Sequence, residues 1–171
     1  MSFRPFEAAV GLAAAGAFVL SAAPAQAAPA ADADPFAQIQ LTRTYTATGK
    51  YGYESTARAD GFVPTPCDPG MGYHYVRAAD VNSTDPARPA ALVYENGPDG
   101  RRRLVAVTWI VQAAPGVARP TLFGRQFGGP HPLPQPLGSS YTLHAWIYKS
   151  NPDGLFSPTH PRVTCPADPA P

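Results

Sequence analysis

Two histidines stand in strand-like stretches among aromatic residues: His74 within residues 71–76 (MGYHYV) and His144 within residues 141–148 (YTLHAWIY). Neutral imidazole nitrogen suits both Cu²⁺ and Zn²⁺, and strands hold side chains at fixed spacing, so His74 and His144 are candidate metal ligands. The same rings could act as general bases, with Asp80, Glu95, Asp153 and His160 as companions for either role. Tyr73, Tyr75 and Trp146 beside them would suit a saccharide or another small molecule held by stacking. The candidate ligand-binding set is therefore His74, His144, Trp146, Tyr73 and Tyr75. An unperturbed imidazole titrates near pH ~6.5, so direct ligation would place a break there in a binding profile. The plainer role for a histidine flanked by tyrosines is a hydrogen-bonded residue of the core or its rim.

Signatures that would name a reaction are missing. The chain has no His-Glu-x-x-His helix, no Gly-x-Ser-x-Gly elbow, no phosphate-cradling glycine loop and no complete twelve-residue Ca²⁺ loop. No nucleophile or oxyanion donor can be assigned beside the histidines. A formal charge of +1, with arginines scattered except at 101–103, lacks the basic stripe of a nucleic-acid binder. The three arginines read as a solvated turn edge that discourages edge-to-edge pairing.

The elements that must position the histidines follow from alternation and turn chemistry. In residues 141–148, Tyr141, Leu143, Ala145 and Ile147 share one side and Thr142, His144, Trp146 and Tyr148 the other, as in a strand with one face on a core. Asn151-Pro152-Asp153-Gly154 must reverse the chain, after which Leu155 and Phe156 can return to the core. Residues 90–95 and 104–111, joined through Asn96-Gly97-Pro98-Asp99-Gly100, predict a hairpin. Residues 63–70, with three prolines, read as a loop. So do residues 113–138, anchored by Leu122, Phe123 and Phe127 and placed to fold over the histidine face. Upstream, Asp34 and Pro35 open a helix toward Thr46, although the threonines at 42, 44, 46 and 48 fit an extended segment equally well. A second helix over 51–59 ends at Asp60-Gly61.

Residues 1–27 read as a secretory signal peptide: Arg4, an apolar run over 8–20, and Ala25-Gln26-Ala27 as the cleavage site. That run is short for a membrane span, so the mature chain is expected to be secreted, extracellular or periplasmic, without a spanning helix. About 144 residues remain, enough for one domain. Residues 28–34 and 167–171 are expected to be a disordered leader and tail flanking a single domain over 35–166. Twenty-two prolines argue for short strands and stiff loops. Two cysteines in an exported chain, Cys67 and Cys165, most simply form one disulfide. The rival is a thiolate metal site, because Cys67 precedes His74 by seven residues and Cys165 follows His160 by five, spacings that match no common zinc motif.

The strings MGYHYV, LFGR and YTLHAWIYKSNPDGLFSPTHPRVTC, with ARADGF upstream, resemble a family of small exported bacterial proteins of unknown function. The resemblance spans roughly residues 42–165. It implies that His74, His144, Asn151, Gly154, Phe156 and Cys165 occupy motif positions, and it brings no activity with it. The expectation is thus an α+β domain: short N-terminal helices on a small antiparallel sheet of four or five strands, closed by one disulfide. Its role would be a secreted small-ligand or metal-binding protein. The alternatives are a small extracellular hydrolase or lyase with a histidine base, and an interaction module without pocket chemistry.

Overall fold

A computed structural model of the chain describes residues 35–166. The signal peptide, leader, tail and Asp34 cap expected from the sequence lie outside the described residues. Helix α1 spans Pro35–Thr48 and α2 spans Glu54–Ala59, separated by a short 3₁₀ turn at Gly49–Gly52. The threonines are compatible with α1 because each hydroxyl returns to the carbonyl four residues back, as Thr44 does to Gln40 and Thr48 to Thr44. Gly61, at φ +86°, ends α2 in the left-handed conformation that its sequence position calls for.

The strands are β1 (Val63–Asp68), β2 (Gly72–Val76), β3 (Ala91–Asn96), β4 (Arg102–Gln112), β5 (Thr121–Leu122), β6 (Arg125–Gln126), β7 (Gly128–Leu133) and β8 (Gly138–Ala145). Six of them form one antiparallel sheet in the order β1-β2-β3-β4-β8-β7, and β5 and β6 pair separately. The fold is α+β as expected, with the predicted β3–β4 hairpin at its centre. The sheet is larger than the four or five strands the sequence suggested, because two proline-rich segments that read as loops are its edges. Pro64 and Pro66 lie in β1 and Pro130 and Pro132 in β7. Edge strands need only half of their backbone donors, so proline costs them little and blocks further pairing.

Alternation distributes residue size unequally between the two faces. Leu92, Tyr94, Val107, Trp109 and Leu143 pack with Ala37, Leu41, Tyr51 and Ala57 from the helical segments in the main core. On the opposite face of the central strands, Ala91 pairs with Thr108 and Val93 with Ala106. Small residues inside and bulky ones outside let the sheet curl, and ladder irregularities within β1, between β3 and β4, and within β7 bend it further.

Cys67 and Cys165 form the expected disulfide, 98 residues apart in sequence. Closing such a loop stabilises the fold by about 4–5 kcal/mol on the chain-entropy model. The bridge fastens edge strand β1 to the C-terminal segment, which also docks through Gly70: its N–H donates to the Val163 carbonyl, and its carbonyl accepts from His160 N–H.

Gly72 opens β2 at φ +78°, where a Cβ would lie 2.5 Å from the Tyr94 carbonyl oxygen and 3.3 Å from Val163 Cγ1. Gly72→Ala is expected to cost roughly 1–3 kcal/mol in urea unfolding, through strain at the start of the strand that carries His74. Gly61→Ala, with nothing within 4 Å of the new Cβ, should lose only the backbone term of about 1–2 kcal/mol.

Candidate functional site

His74 is the third residue of β2 and His144 the seventh of β8. They face the inner side of the curl because His74 pairs with Val93 and His144 with Thr108, both of which point there. Strands β3 and β4 lie between them. Adjacent strands are about 4.8 Å apart, so over a flat sheet the two backbones would stand about 14 Å from one another. Curling brings the rings into contact instead: Nε2 of His74 lies 3.3 Å from Nε2 of His144, with the ring planes crossing at 81°. One imidazole donates from Nε2 and the other accepts, which requires opposite tautomers in the two rings.

The pair lines a cavity of about 360 Å³ bounded by both edges of the sheet: Thr65, Pro66 and Cys67 from β1, and His131, Pro132 and Leu133 from β7. Val76, Ile110 and Leu137 make much of its wall apolar, and Thr108 and Thr142 add hydroxyls. Three of the four histidines in the chain therefore border a single cavity. His131 sits at the exposed rim, its Nε2 3.1 Å from Thr142 Oγ1. Thr108 is different: it is buried at 1% exposure, and its Oγ1 has no hydrogen-bond partner among the described residues.

Burial governs the protonation of the pair. Loss of hydration pushes His74 from its ordinary 6.5 down to about 4. His144 falls to about 3, through burial first and then the proximity of His74 and His131. Both rings are neutral across the physiological range. The pair can accept a proton, ligate a metal or share hydrogen bonds with a ligand, but neither ring supplies an imidazolium acid near pH 7. A binding profile that reports on these rings should therefore break in the acid range, not near 6.5.

The structure brings His74 and His144 together and leaves the other candidates elsewhere. Tyr75 is buried on the opposite face in the main core, where its hydroxyl donates to Glu54, 2.5 Å away. Tyr73 packs against that same core, with the Arg102 guanidinium 3.4 Å over its ring. Both follow from strand parity, because neighbours of His74 in sequence must point away from it. Trp146 belongs to a separate cluster with Val93, Val105, Ala106 and Val163, past the end of β8, and its Nε1 donates to the Ser157 carbonyl at 2.8 Å. Its backbone N–H leaves the ladder for the Leu155 carbonyl, so the strand stops at Ala145 and Tyr148 turns to the main core.

The proposed companions are likewise engaged away from the cavity. Asp80 is held by Arg77 and Arg88, Glu95 by Lys149, and Asp153 lies exposed in the Asn151–Gly154 turn. His160 is fully buried beside Trp146, with Nε2 3.0 Å from the Ser150 carbonyl and Nδ1 accepting from Arg162 N–H at 3.0 Å. With Cys67 and Cys165 bonded to each other, the thiolate metal site does not form. His131, Thr108 and Thr142 were not singled out from the sequence. Thr142 was legible as sharing the His144 face, whereas His131 lay hidden in a segment whose prolines read as a loop.

Because the folded chain binds protons at these rings less readily than the unfolded chain, unfolding takes up protons between pH 6.5 and about 4. Stability is expected to be full near neutrality and to fall as pH drops through that window. The urea midpoint measured from pH 7 down to pH ~4 should show the decline, and His74→Gln combined with His144→Gln should remove most of it. An unchanged slope in the double variant would assign the acid sensitivity to other groups.

No protein-family model, curated protein or solved structure matches this chain, so its function has to be read from the cavity itself.

Proposed function

We propose that the chain is a secreted binding protein that holds a small ligand, with an apolar body and a hydrogen-bonding end, in the cavity between its two sheet edges. The observation that carries this reading is the His74–His144 pair, hydrogen-bonded Nε2 to Nε2 at 3.3 Å, on the wall of an otherwise largely apolar cavity. A ligand that bonds one imidazole in place of the other ring can lie along that wall. The cavity volume of about 360 Å³ falls within the range of small-molecule sites.

Among ligand chemistries, a neutral hydroxyl or carbonyl end fits best, because the uncharged imidazoles offer a donor and an acceptor, most of the wall is apolar, and Asp68, the one carboxylate on the lining, is exposed to solvent. The disulfide supports an oxidising compartment, and no helix among the described residues is long and apolar enough to cross a membrane. Hydrolysis or elimination is the weaker reading, because the pair can act as a base but supplies no matching acid at neutral pH.

The test uses 2-naphthol as a neutral probe, followed by backbone amide NMR. Saturable shifts are expected at residues around His74, Thr108, Leu133 and His144, and Leu133→Trp, which fills the cavity from its rim, should abolish them. His74→Leu should weaken the probe roughly three- to tenfold, about one hydrogen bond, whereas Thr108→Val should leave its affinity unchanged and raise the stability of the protein by about 1 kcal/mol. Absence of saturable shifts, or shifts that survive Leu133→Trp, would remove the basis for the reading.

A further inference from the structure

A second cavity, of about 730 Å³, adjoins the one that holds the histidine pair. The two share Thr65, Pro66, Val76, Pro134 and Leu137, so they are continuous through that waist. Every residue of β1 from Val63 to Asp68 borders one or the other, and residues 131–137 border them from the opposite edge of the sheet. Together they make one trough that runs the length of β1, about 16 Å at the rise of a strand. An extended hydrocarbon chain, with bonds of about 1.5 Å at near-tetrahedral angles, advances about 1.25 Å per carbon. We infer that the ligand of this trough is an unbranched chain of about a dozen carbons with a neutral hydroxyl or carbonyl head, the head at His74 and His144 and the chain along β1. This rests on the cavity being a binding site, as proposed above, and names the class of molecule it takes.

The lining selects this occupant. Among the described residues, no charged side chain borders the second cavity, and no lysine or arginine borders either. Val63 lines the second cavity with 65% of its surface exposed, apolar area that a hydrocarbon chain would cover. A peptide laid in as an added strand fits poorly, because Pro64, Pro66, Pro132, Pro134 and Pro136 flank the trough and none has an N–H to donate. A hydrocarbon chain needs no donor. The polar groups set its direction. At the far end Asn82 Nδ2 donates to Gln112 Oε1, and Gln112 Nε2 donates to the Pro136 and Leu137 carbonyls, so both amides are engaged. The histidines bond only each other at Nε2 and can exchange that bond for one to a head group. An anionic head would meet two uncharged rings and the Asp68 carboxylate, with no lysine or arginine to offset it.

The experiment titrates the disulfide-intact protein with 1-hexanol, 1-octanol and 1-decanol, followed by backbone amide NMR. Affinity is expected to rise about two- to fourfold for each added CH₂ as the chain enters the second cavity. Decanol should shift the amides of Val81 and Gln112, which hexanol should leave in place. Ala78 is exposed and lines only the second cavity, so Ala78→Trp should abolish the gain beyond hexanol while hexanol binds as before. Decanoate should bind at least about tenfold more weakly than decanol, since its charge gains no partner. A flat series, decanol shifts confined to the hexanol set, a slope that persists in Ala78→Trp, or decanoate as tight as decanol would overturn the inference. The shift map decides without any substitution that could disturb folding. Saturable 2-naphthol binding beside a flat alkanol series would remove the chain and leave the small-ligand reading intact, whereas saturation by neither would overturn both.

Discussion

Two imidazoles mounted on strands with two further strands between them cannot meet over a flat sheet. Their contact depends on curvature, and the curvature depends on what the inner face leaves out. Ala91, Ala106 and Thr108 occupy positions where larger residues would hold β2 and β8 apart, while Tyr94, Val107 and Trp109 fill the outer face. The core and the cavity are thus two consequences of one asymmetry in side-chain size. The bulky face is closed by the helices and by Phe123 and Phe127, and the sparse face is bordered by the sheet's own edges.

The edges carry the second constraint. A curled sheet that stops short of closure exposes two unpaired strands near one another, and each would template aggregation if left bare. Prolines in β1 and β7 remove donors from both, and the rings of Pro66 and Pro132 also form walls of the cavity, so two of the residues that blunt the edges shape the site as well. The Cys67–Cys165 bridge holds β1 in place from outside the ladder, and the Gly70–His160–Val163 hydrogen bonds add to it. Trp146 and His160, which look like site residues by type, belong to this fastening: both have their polar atoms satisfied by backbone groups of the C-terminal segment.

Inside the cavity, burial has opposite effects on neighbouring groups. It keeps His74 and His144 uncharged, where they can bond each other at no electrostatic cost. The same burial leaves the Thr108 hydroxyl without a hydrogen-bond partner among the described residues, a cost that valine would avoid.

What the sequence determined by itself is local in origin. Strand-like runs at residues 90–95, 104–111 and 141–148 marked three strands, Asp60-Gly61 and Asn151–Gly154 marked two chain reversals, and two cysteines implied one bridge. Parity along β2 also placed Tyr73 and Tyr75 opposite His74, so their separation from the site was readable in principle. Three things were decided only by tertiary structure. Whether proline-rich 63–68 and 128–133 are loops or edges depends on having one paired neighbour, which local propensity cannot express. Whether His131 borders the same cavity as His144 depends on where β7 docks. And whether His74 reaches His144, 70 residues away, depends on the curl of a six-stranded sheet, a property summed over small residues on β3 and β4 that carry no chemical signature of their own.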